Sequence, residues 1–257
     1  MQAWQEKMMT SMIRFALTGL LALTAVFAGR VEAEVTITGT RVIYPAASKE
    51  VTVQLTNHGS VPALVQVWLD GGDMDASPDQ IKVPFNVSPP IVRMESHKGQ
   101  VVRVAYTKAP LPADRESLFW FNLLEIPPKA GPEASENLMQ FAVRTRIKLI
   151  FRPSNLSAAQ ALEAPKQLQW TLHAGENGKP SVLRATNPTP YYVNFSSVGA
   201  KAGDKEFTGT GGFVAPNSTA EFPLKELAGH GGADMQVVFK TISDLGVVIP
   251  YTKPLSP

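Results

Sequence analysis

The chain has 257 residues, with 24 Lys and Arg against 22 Asp and Glu, a net charge of +2 and no cysteine. So even a balance excludes a nucleic-acid groove or a charged disordered tail, and any charge-dependent function must be local. Without thiols there is neither a disulfide framework nor thiolate metal ligation, so packing alone must hold the fold.

In chain order, Lys7 and Arg14 lead into an apolar run of 14 residues, Phe15 to Ala28, followed by the small residues Val31 and Ala33. This is the pattern of a signal peptide, and the run is shorter than the about 20 apolar residues that a bilayer span needs. Residues 1–33 are expected to be removed after Ala33 on export.

Short alternating apolar runs broken by Gly, Pro, Asn and Asp follow, the pattern of antiparallel sandwiches rather than βαβ units. Seven strands are expected: Val35 to Thr38, Val51 to Thr56, Ala63 to Leu69, Phe85 to Val87, Val101 to Tyr106, Leu118 to Ile126 and Leu138 to Phe151. They fill one immunoglobulin-like domain, 34–153. The stretch "SNLSAAQALEAPKQ" reads as a connector with room for one helical turn. A second all-β domain, 154–257, has runs at Leu168 to Leu172, Val182 to Thr186, Tyr191 to Val198, Phe207, Phe213 to Val214, Glu221 to Leu224, Met235 to Ile242 and Val247 to Tyr251. The fold class is all-β, in two sandwich domains.

Motifs for chemistry are scarce. His58, His97, His173 and His230 lack metal-ligand spacing. The acidic stretch "DGGDMDASPD", Asp70 to Asp79, lacks the glycine and closing Glu of a calcium loop and reads as a solvated hairpin loop. "GTGG" opens no helix, so it is a turn rather than a phosphate cradle. With no nucleophile and base pattern the chain is not expected to be an enzyme, and no cofactor or metal is expected.

The stretch "ENLMQFAVRTRIKLIFRP", Glu136 to Pro153, stands out. Side chains alternate, so Met139, Phe141, Val143, Thr145 and Ile147 share one face, and Arg144, Arg146 and Lys148 the other. At about 14 residues this strand exceeds the usual five or six, and a long bare edge invites pairing with another chain. Arg41 interrupts an apolar run; if the first and last strands of the domain meet, Arg41 and Lys148 face one pocket suited to a carboxylate. Glu125, at the exit of "DRESLFWFNLLEIPP", is the acid expected to meet a base across the domain boundary.

"TGTRVIYP", "FNVSPPIVRM", "DRESLFWFNLLEIPP", "IKLIFRP", "NPTPYYVNFSSV" and "GGFVAPNST" stand in the order and spacing of periplasmic pilus chaperones of the chaperone/usher pathway, which the chain resembles over its whole mature length. The resemblance implies two immunoglobulin-like sandwiches set at an angle, with a cleft between them that holds a pilus or fimbrial subunit, an unfinished sandwich whose missing strand the chaperone lends, with Met139, Phe141 and Val143 filling its groove. It implies that Arg41 and Lys148 bind the subunit's C-terminal carboxylate, and that Glu125, Arg152 and Asp244 form an interdomain charge cluster. It further implies a periplasmic location and delivery to an outer-membrane usher, with apolar residues near Pro89 and Pro90 as part of the contact; in the free protein a self-capping homodimer would shield the open strand. A secreted two-domain adhesin or pilus component is the alternative from the same fold class.

Overall fold

Period-two alternation, with β-branched and aromatic residues on the inward positions, makes each run a strand that buries one face. The computed structural model describes residues 34–126, 141–173, 180–224 and 235–255. The first part of the chain forms β1 (Val35–Ile37), β2 (Arg41–Pro45), β3 (Glu50–Asn57), β4 (Ala63–Asp70), β5 (Phe85–Ser88), β6 (Ile91–Met94), β7 (Gly99–Tyr106), β8 (Ser117–Ile126) and β9 (Val143–Arg152). One sheet has the order β1-β3-β7-β5, and the facing sheet β2-β9-β8-β4-β6. Gly39, at φ +95°, sits where the chain leaves the first sheet for the second, a turn that a Cβ would strain. Tyr44, Phe85, Phe119 and Phe151 interlock between the sheets, with ring centroids 4.9–6.2 Å apart in successive contacts.

The second part begins with α1 (Ala158–Gln167) and continues as β10 (Gln169–His173), β11 (Ser181–Asn187), β12 (Val193–Ala202), β13 (Lys205–Thr208), β14 (Gly212–Val214), β15 (Ser218–Leu224), β16 (Gln236–Ile242) and β17 (Val248–Pro254). A β10-β11-β15 sheet faces a β13-β12-β16-β17 sheet in which β14 also pairs with β12. Trp170, Phe195, Phe222 and Phe239 form its centre.

Four elements differ from expectation. The connector is a ten-residue helix rather than one turn, because Ser157 caps it by accepting from the Gln160 N–H, and burial of Ala164 and Pro165 outweighs the backbone bond that Pro165 cannot make. Strands β2 and β6 lie in runs assigned to no strand. Strand β9 begins at Val143; Phe141 and Ala142 precede it without strand pairing, and 138–140 lie outside the described residues.

Matching devices stabilise both sandwiches. Asn57, at the end of β3, is buried; its amide donates to the Val61 and Met94 carbonyls and its Oδ1 accepts from the Gly59 N–H. Asn187, at the end of β11, donates to the Tyr191 and Ala215 carbonyls and accepts from Thr189. Each satisfies turn groups that would otherwise be buried unpaired.

Candidate cleft and open strand edge

Strand β9 is paired along one side with β8, from Ser117 opposite Phe151 to Glu125 opposite Val143. On its other side the parallel partner β2 reaches only from Lys148 to Arg152. Among the described residues, the Val143–Ile147 edge therefore has no strand beside it. Val143 is half-buried at the start of this free edge, and Phe141, just before it, is 58% exposed. Met139 lies outside the described residues.

The even-numbered side chains of β9 stack on one sheet face. The Arg144 guanidinium lies 4.9 Å from the Trp68 ring centroid and that of Arg146 4.2 Å from Trp120. What holds them is Asp70, only 1% exposed: Arg146 Nη2 donates to its Oδ1 at 2.5 Å, and Asn122 Nδ2 to its Oδ2 at 2.8 Å. Burial raises the Asp70 carboxyl, but hydrogen bonds from Arg146, Asn122 and the Gly72 N–H outweigh it and hold the group below its ordinary value. Asp70 thus corrects the reading of its stretch as wholly solvated. Its position as the last residue of an alternating strand was the available signal.

Arg41 and Lys148 are register partners on β2 and β9. Arg41 Nη1 donates to the Ile242 carbonyl at 3.1 Å, while its Nε is buried without a partner. Lys148 Nζ donates to Asn194 Oδ1 at 2.6 Å. Neither cation forms an ion pair with a carboxylate among the described residues. Burial lowers both, and the neighbouring Arg41 charge lowers Lys148 further, to about 8. Two partly desolvated cations side by side are chemically suited to an anion.

Arg152 ends β9 between the sandwiches. Its Nε donates to Glu116 Oε1 at 2.7 Å, and Nη1 and Nη2 donate to Asp244 at 2.7 and 3.1 Å. Glu116 Oε2 also accepts from the Tyr192 N–H, and the Glu116 N–H donates to the Pro190 carbonyl. Burial works against both charges: it pushes the Glu116 carboxyl up, whereas on Arg152 the two acids outweigh it and hold the guanidinium high. Glu125 is not in this cluster. Antiparallel pairing places it opposite Val143, at the far end of β8, where it accepts from the Val35 N–H at 3.1 Å. Glu116 takes the expected place because Ser117 pairs with Phe151, which sets the preceding residue beside Arg152.

Two sandwiches of this topology, joined through a buried arginine beside an unneutralised cation pair, define a class of two-domain immunoglobulin-like proteins. The chain matches the models of the pili and flagellar-assembly chaperone PapD N-terminal domain over residues 34–157 and of the pili assembly chaperone PapD C-terminal domain over 163–253, and it belongs to this chaperone family. It is 46% identical over 220 residues to the probable fimbrial chaperone YadV of Escherichia coli K12, spanning 84% of this chain and 88% of that protein. The YadV crystal structure matches with a TM-score of 0.74, at 40% identity, over 87% of this chain and all of that one. The chaperone protein FimB/FhaD of Bordetella pertussis is 40% identical over 98% of both chains. A structure of the Salmonella enterica SafA pilin in complex with the SafB chaperone matches with a TM-score of 0.71, at 30% identity, over 89% of this chain and 99% of that one.

Proposed function

We propose that this pilus-assembly chaperone acts in the periplasm by lending the free edge of β9 to a pilus subunit, and that Arg41 and Lys148 take the subunit's C-terminal carboxylate. The observation that carries this reading is the coincidence of the two features: the edge left bare by β2 stops where the unneutralised cations begin. A guest strand in the vacant position would bond its main chain to Val143–Ile147 and end beside the two cations. Phe141 and Val143, with Met139 beyond the described residues, would fill alternate positions of the guest's groove. The anchor sets the register, and a slip of one residue would turn every apolar side chain to the wrong face. Arg152, Glu116 and Asp244 hold the two sandwiches in the arrangement that the cleft requires. Delivery to an outer-membrane usher completes the reading, with exposed Leu64 and Ile91, near Pro89 and Pro90, as the contact.

Co-expression with candidate pilins tests it. Wild-type chain should protect one of them from proteolysis and co-purify with it, whereas folded Arg41→Ala and Lys148→Ala proteins should each recover about tenfold less complex or worse, because each loses charge-assisted bonds. Wild-type yields from both variants would sink the anchor.

A further inference from the structure

Lys148 belongs to the N-terminal sandwich, yet what holds its ammonium comes largely from the other one. Besides accepting at Asn194 Oδ1, the C-terminal sandwich places the Phe213 ring centroid 4.7 Å from Nζ; Trp120, on the lysine's own sheet, lies at 5.7 Å. Asn194 on β12 and Phe213 on β14 are register partners, so neighbouring strands present the amide and the ring together. Tyr192 packs on Phe213 with ring centroids 5.8 Å apart and donates its N–H to Glu116, which ties this pair to the Arg152 cluster.

The chemistry of the two groups matters. An ammonium has three donors, and Asn194 accepts one of them without neutralising the charge. An aromatic face also favours a cation while leaving it uncompensated. A carboxylate in either place would pair with the lysine and compete with an incoming anion.

On the reading given under Proposed function, we infer that Asn194 and Phe213 are positioning residues for the anion anchor: they hold the Lys148 ammonium in the cleft and leave its charge for the carboxylate of a guest chain. Arg41 is treated the same way, its Nη1 donating to the neutral Ile242 carbonyl of the C-terminal sandwich. Both cations are thus set by uncharged groups of the second sandwich, and the anchor is complete only when the two are docked.

Among the described residues, the charged groups around Lys148 are few. Arg41 on β2 opposes its protonation; Arg146 on β9 is engaged by Asp70; Asp244, between β16 and β17, is engaged by Arg152 and acts on Arg41. Removing the Asn194 acceptor withdraws a group that favours the charged lysine, so Lys148 would lose its proton at lower pH.

The test is calorimetry of the purified protein with a synthetic alternating apolar peptide ending in a free carboxylate, and with the same peptide amidated, between about pH 6 and pH 9. Wild-type protein should prefer the carboxylate form. Asn194→Leu should cut that preference about tenfold at neutral pH and lose carboxylate binding at a lower pH than wild type, with Phe213→Leu weakening it by a smaller factor. Asn194→Asp conserves size and pairs with Lys148, so it should fold and erase the preference altogether. A wild-type preference in folded Asn194→Asp, or an unchanged preference and pH midpoint in Asn194→Leu, would overturn the inference. If wild-type protein itself fails to distinguish carboxylate from amide, the anchor reading fails first and takes the inference with it.

Discussion

The two sandwiches are built alike and end differently. In the C-terminal one, β17 is the last strand of its sheet, paired on one side with β16 from Val248 opposite Ile242 to Pro254 opposite Gln236, and Lys253 donates to the Lys166 and Leu168 carbonyls at the end of α1. In the N-terminal one, β9 outruns β2 and leaves half of an edge unpaired. Exposed edges template pairing with other chains, so a protein that keeps one must either cover it or use it. Here Asp70, Asn122 and two tryptophans fix the face of that strand and leave its edge bare. Both sandwiches therefore carry a bare edge among the described residues, and what sets the β9 edge apart is that β2 closes its second half and the Arg41 and Lys148 cations stand where the bare half ends.

Four experiments would break or sharpen this contrast. The largest effect is expected at the junction that both sandwiches share. Arg152→Ala leaves Glu116 buried without its partner, and should cost about 3–5 kcal/mol in denaturant unfolding. It should also change the small-angle scattering profile by releasing the domains.

Next is the free edge. Phe141→Asp replaces an exposed side chain, so unfolding should shift by about 0.5 kcal/mol or less, while subunit capture falls by about 2 kcal/mol or more because a charge enters an apolar groove. The equivalent change on the terminal strand of the other sandwich, Val248→Asp, should leave capture unaltered. Equal losses from both would erase the distinction between the strands.

A smaller, pH-dependent effect belongs to Lys148. Its folded value of about 8 lies below the ordinary 10.5, so the cost of the buried ammonium is fully present below pH 8 and is relieved as pH rises toward 10.5. Over that interval this group should make the empty protein more stable while carboxylate binding weakens. Lys148→Met should flatten both slopes, measured by thermal unfolding and by peptide titration.

The least effect is expected at Glu125. Glu125→Gln keeps an acceptor for the Val35 N–H and should cost about 1 kcal/mol or less, whereas Glu116→Gln, just before the start of the same strand, should cost more because it removes a charge-assisted bond to Arg152.

Much of the fold was legible because alternation is local. The core faces of β3, β4, β7 and β8 follow from the period-two placement of Val, Leu and Phe, and Arg144, Arg146 and Lys148 share a face for the same reason. Strand β2 was harder, since "RVIYP" is short and its pairing with β9 is parallel and distant in sequence. The helix escaped because Pro165 masks a signal that burial of Ala164 and the Ser157 cap restore.

The charge cluster shows the same boundary. The sequence by itself determined that a basic strand and an early arginine exist, which faces they occupy, and that acids flank β8, since each of these depends only on a residue's neighbours along the chain. Which acid meets Arg152 depends on the register between β8 and β9, and only the tertiary structure decided it for Glu116. Asn194 and Phe213 reach Lys148 only because a second domain docks there, and no local periodicity encodes a contact whose two sides are separated by a whole sandwich boundary.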